Sequence, residues 1–153
     1  MKKIILFLVL VLTSNCGFKV IGMSEQNNFS IVNIETTGEN KINYIIKKNL
    51  LKSTKKDINK INIKLETEKI RNVKEKNIKN EITKYEISIV VKAIVTENIN
   101  NKNHNLVVAA TGDYNVGKQN STTRNNEKQL IKLLSNSLSD NILKKINSTL
   151  NDN

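Results

Sequence analysis

Two side chains offer chemistry found nowhere else in this chain: the single thiol, Cys16, and the single imidazole, His104. A lone cysteine makes no intramolecular disulfide and no cysteine-based zinc site. His104 lies in an asparagine-rich stretch, NINNKNHN, with no Cys, Asp or second His beside it. A metal site or a general base needs such partners. Asp113, Glu127 and Asp140 supply carboxylates, but nothing in their spacing gathers two of them in one cleft. No G-x-S-x-G elbow and no G-x-G-x-x-G turn is present, and Gly117-Lys118 lacks the upstream glycine of a phosphate loop. These residues predict a protein that is not an enzyme and that uses no cofactor and no metal.

Cys16 has a different chemistry open to it. Lys2 and Lys3 precede nine apolar residues, IILFLVLVL, and then Thr13-Ser14-Asn15-Cys16. A helix needs roughly 20 apolar residues to span a bilayer. Nine is the length of a signal-peptide core. Positive start, apolar core, small polar residues and cysteine together look like a bacterial lipoprotein signal. Such a signal is cut before the cysteine, which is then acylated on its sulfur and its new amine. Leu12 lies one position too early for the usual box, and Asn15 stands where a small residue is expected. The expectation is a leader over residues 1–15, a lipidated tether over 16–28 and a single domain over 29–153. Gly17 follows the cysteine where an Asp would retain the protein in the inner membrane. The periplasmic side of the outer membrane is therefore the expected location. An ordinary secretory leader is the alternative.

The chain is basic, with 25 Lys and Arg against 14 Asp and Glu, a net charge of +11. Lys2 and Lys3 belong to the leader and no acid does, so the remainder carries about +9. That sign favours an anionic partner such as a phosphorylated lipid or an anionic surface. Nucleic acid is disfavoured: aromatic residues make up only 4 % and are scattered, so no stacking platform is evident.

The elements that must position these charges are read from periodicity. Residues 29–36 are β-branched and alternate, predicting a first strand. Gly38-Glu39-Asn40 breaks it, and Asn40 reads as the N-cap of a helix over 41–52. Ile42, Ile45, Ile46 and Leu50 form that helix's apolar stripe, with lysines on the other face. Residues 61–68 alternate again as a second strand, and NVKEKNIKN, 72–80, reads as a polar turn. Residues 82–97 give the strongest strand signal. Tyr85, Ile87, Ile89, Val91, Ala93 and Val95 lie on one face. Residues 98–105 read as a hairpin loop and 106–116 as a fourth strand, where Gly112 marks a bulge or a close backbone approach. A loop over 117–126 leads into a long amphipathic helix, 127–150, with Leu130, Ile131, Leu134, Leu138, Ile142, Ile146 and Leu150 along one stripe. The predicted fold class is α+β, in the order β-α-β-β-β-α: a four-stranded mixed sheet with both helices packed on one face.

Three stretches then resemble a known family. Cys16-Gly17-Phe18-Lys19-Val20-Ile21-Gly22 is similar to the mature start of the lipopolysaccharide-assembly lipoprotein LptE family. TTRNNEKQLIKLL, 122–134, is similar to the run into that family's last helix. EITKYEIS, 81–88, resembles the beginning of one of its strands. The element order is similar as well. The resemblance implies a lipoprotein that partners and plugs the outer-membrane β-barrel LptD and contacts lipopolysaccharide during its assembly at the cell surface. It also implies basic residues on the lipid A phosphates, at Arg124 and in the region of Lys74, Lys76 and Lys79. The rival expectation is a different membrane-tethered periplasmic adaptor or lipid-binding module.

Overall fold

The computed structural model describes residues 29–53 and 59–151. The leader, the tether and Cys16 lie outside the described residues. The element order is β1 (Ser30–Gly38), α1 (Asn40–Lys52), β2 (Lys60–Lys76), β3 (Ile82–Glu97), β4 (Asn103–Asn115) and α2 (Asn120–Asn151). The four strands form one sheet in the order β1-β2-β3-β4. β1 and β2 are parallel, and the other pairs are antiparallel. The α+β class and the β-α-β-β-β-α order are those read from the sequence.

One sheet face is apolar because side chains alternate along each strand. Ile61, Ile63 and Leu65 of β2 and Ile87, Ile89, Val91, Ala93 and Val95 of β3 point inward and are buried. Ile42, Ile46 and Leu50 of α1 and Leu134, Leu138, Ile142, Leu143 and Ile146 of α2 close over them in a single core. Each fully buried Ile or Leu contributes roughly 2 kcal/mol. The opposite sheet face is open and carries Lys, Glu and Thr with exposed Ile70, Ile94 and Val107.

Gly38 makes the turn from β1 into α1. Its φ of +93° is a conformation that other residues rarely adopt, and a Cβ there would lie 2.0 Å from the Thr67 carbonyl oxygen. Gly112 has an extended backbone without a bulge, and serves a close approach: a Cβ would meet Leu130 of α2 at 2.8 Å.

Four boundaries differ from the sequence reading. Asn40 is the first helical residue of α1; Glu39 holds the cap position and makes no side-chain cap bond. β2 does not stop near Glu68 but runs to Lys76, so the turn is only 77–81. The loop between β3 and β4 is 98–102, which places His104 on β4, where its Nε2 lies 2.6 Å from Glu97 Oε1. α2 begins at Asn120, seven residues before Glu127.

These strands give the molecule two ends. Ser30, Lys60 and the 98–102 turn share one end, since Ser30 pairs with Lys60 and the Asn98 amide donates to the Lys60 carbonyl at 2.9 Å. The 77–81 turn, the end of β4 and the start of α2 share the other.

Candidate functional site

The two helices run in the same sense, opposite to β1, β2 and β4. They are fastened where Asn49 Nδ2 donates to Asn136 Oδ1 at 2.9 Å and to Ser139 Oγ at 3.3 Å. The facing surface of α2 at this point is small: Ser135 and Ser139 are fully buried, each hydroxyl bonded to the carbonyl four residues back at 2.7 Å. Beyond this clasp a groove of about 940 Å³ lies between the helices.

The groove has two basic walls. From α1 come Lys41, Lys48 and Lys52; from α2 come Arg124, Lys128 and Lys132. Each set repeats at helical spacing on a side of its helix turned away from the core. Tyr44, 69 % exposed, and Ile45 on α1 lie opposite Ile131 on α2, giving an apolar floor. Lys69 of β2 closes one end. Glu127 is the one carboxylate in the lining, and it serves Lys69 at 3.7 Å and Arg71 at 3.8 Å. Lys41, Lys48, Lys52, Arg124, Lys128 and Lys132 have no side-chain partner among the described residues. Six cations beside an apolar floor suit a molecule that carries both anionic groups and hydrocarbon or ring surface.

At the Glu127 end side chains stack in a layer. Arg71 Cζ stands 3.9 Å above the Tyr85 ring, and Tyr85 stacks on Tyr114 with centroids 5.6 Å apart. Burial raises the Tyr114 phenol above its ordinary pKa, so it stays neutral under this layer.

Of the sequence-predicted binding residues, only Arg124 lies in the groove, and it sits within α2 and not in a loop ahead of it. Lys74 belongs to β2 and points to the opposite sheet face, bonded to both Asp113 oxygens at 2.7 Å and 3.6 Å from Glu86. Asp113 raises the pKa of that ammonium. Lys76 ends β2 and donates to Asn80 Oδ1 at 3.0 Å. Lys79 is exposed in the turn. The structure thus does not bring these three together with Arg124. His104 and Asp113 lie on opposite halves of β4, and no group of three His, Cys, Asp or Glu residues suited to a metal occurs among the described residues.

Several solved structures share this fold. Rare lipoprotein B from Shewanella oneidensis superposes with a TM-score of 0.63 at 15 % identity, over 82 % of this chain and 98 % of that one. Lipoprotein B from Nitrosomonas europaea gives 0.63 at 13 %, over 88 % and 93 %. A minor lipoprotein from Acinetobacter baumannii gives 0.53 at 13 %, over 80 % and 94 %. At such identities the likeness is one of fold. The sequence matches no protein-family model and no curated protein.

The residues missing from the sequence reading are Lys41, Lys48, Lys52, Lys128 and Lys132. Their signal was present as two basic stripes, Lys41-Lys48-Lys52 and Arg124-Lys128-Lys132. What one sequence lacks is the pairing of two helices that turns two solvated faces into one groove.

Proposed function

We propose that this chain is a lipoprotein of lipopolysaccharide assembly, anchored through Cys16 on the periplasmic side of the outer membrane, where it partners an LptD-like β-barrel. The groove between α1 and α2 carries this reading. Its six helical cations have no side-chain partner among the described residues, and they flank Tyr44, Ile45 and Ile131. Lipid A presents two matching features, phosphates and a body of sugar and hydrocarbon. Lysine and arginine hold phosphate oxygens by charge-assisted hydrogen bonds. The apolar floor takes the body of the same molecule. The neighbours described as lipoproteins support a tethered role for the fold, and the sequence resemblance supplies the barrel partner.

Equilibrium binding of purified lipopolysaccharide to the mature protein tests this role. Arg124→Glu combined with Lys128→Glu should weaken binding at least tenfold, with thermal unfolding unchanged, because both side chains are solvated and outside the core. Affinity unchanged by the double reversal would refute the groove. Purification from intact outer membranes should also recover a large β-barrel. Repeated recovery without one favours a tethered adaptor of another kind.

A further inference from the structure

We propose that the 98–102 turn is a second membrane contact, in which Ile99 enters the lipid leaflet that holds the acyl chains of Cys16. This rests on the lipid anchor of the proposed function.

Ile99 is 81 % exposed on a turn with a fixed frame. The Glu97 amide donates to the Lys102 carbonyl at 3.0 Å, and the Lys102 amide donates to Asn100 Oδ1 at 3.0 Å. Asn100 Nδ2 donates to Glu97 Oε2 at 3.3 Å, and Asn101 adopts a φ of +55°. These bonds hold the isoleucine outward, away from the core. Its side chain regains apolar burial only by leaving water for another phase.

The other β-hairpin is built in the same way. Ile78 also follows an asparagine and is fully exposed, within a turn in which Asn77 Oδ1 accepts from the Lys79 and Glu81 amides. Topology separates the two tips. β3 runs from one to the other, so they stand roughly 50 Å apart. Only the Ile99 turn shares an end with Ser30, two strands and about 10 Å away. Twelve residues separate Cys16 from Phe29. Fully extended they reach about 43 Å, so the Ile99 end stays within that distance of the leaflet.

Such a tether gives an effective concentration on the order of millimolar, enough to populate a contact too weak to form alone. The charges at this end agree with a lipid surface. Among the described residues Lys52, Lys60 and Lys102 are exposed there against one acid, Glu97, which lies 2.6 Å from His104. Lysines beside an inserted apolar residue favour anionic headgroups.

The chain contains no tryptophan. Ile99→Trp and Ile78→Trp therefore each introduce one fluorophore. The acylated mature protein, purified from membranes, is reconstituted into phosphatidylethanolamine–phosphatidylglycerol vesicles with or without brominated acyl chains. Flotation reports attachment and emission reports insertion. The indole at position 99 should lose about half or more of its emission on bromination, and the one at position 78 should be unaffected. Protein that floats with equal emission at position 99 in both vesicles overturns the contact alone. Equal quenching at both positions also overturns it, since the body would then lie flat on the bilayer. Protein that fails to float overturns the anchor and this contact with it.

Discussion

Thr67 shows how one side chain holds the groove's geometry. Its hydroxyl donates to Asn43 Oδ1 at 2.9 Å and accepts from the Glu39 amide at 3.0 Å, while Asn43 Nδ2 donates to the Thr37 carbonyl at 3.0 Å. Thr67 and Asn43 are both 4 % exposed. The network joins the end of β1, the start of α1 and the middle of β2. Thr67→Val keeps the shape but leaves the Asn43 oxygen without its partner and the Glu39 amide with only its longer bond to the Thr67 carbonyl, 3.4 Å. It should cost about 1–3 kcal/mol in denaturant unfolding. A loss well under 1 kcal/mol would mean that water replaces the hydroxyl. None of this was legible in the sequence. A threonine at the end of an alternating run and an asparagine one residue after Ile42 read as ordinary polar positions, because their partnership is a contact across 24 residues.

At the scale of elements, legibility followed the helices. β3 was plain because helices cover its inward face through much of its length, so the alternation stayed apolar. The continuation of β2 was hidden because α1 does not cover it. From Lys69 its inward residues are Lys69, Arg71 and Val73, which reach solvent, although the ladder to β3 continues to Lys76. Backbone pairing without apolar alternation leaves no periodic signal. The start of α2 was hidden for a similar reason. Its first ten residues, NSTTRNNEKQ, precede Leu130 and so carry no apolar stripe. The β1–α1 connection, in contrast, depends on one residue that was visible as a break. Gly38→Ala would place a Cβ against the Thr67 carbonyl at a positive φ. It should destabilise the fold by about 3 kcal/mol and lower the unfolding midpoint accordingly. A neutral effect would show that the β1–α1 turn rearranges freely. Both outer strands of the sheet are also guarded by lysines. Lys47 Nζ donates to the Ile34 carbonyl at 3.0 Å and Lys145 Nζ to the Val107 carbonyl at 2.7 Å, which blunts strand addition at those edges.

At the scale of the whole molecule, the positive charge divides into distinct uses. On the open sheet face three lysines are neutralised locally: Lys74 meets Asp113 and Glu86, Lys84 meets Glu75, and Lys92 meets Glu66. Exposed pairs of this kind contribute little to stability. On the helical face six cations flank the groove beside a single carboxylate, Glu127, which pairs with Lys69 and Arg71, and the like charges repel one another. That arrangement costs stability and gives attraction for anions. The sign of the net charge was legible in the sequence, but this division was not, because it depends on which strand faces which helix. The most direct test is site-specific photocrosslinking in living cells. A photoreactive residue replaces Tyr44 in the groove or, as the control, Val107 on the open sheet face. Lipopolysaccharide should be captured at position 44 and not at position 107. Capture at position 107 with none at position 44 would contradict the groove as the place where this protein meets its ligand.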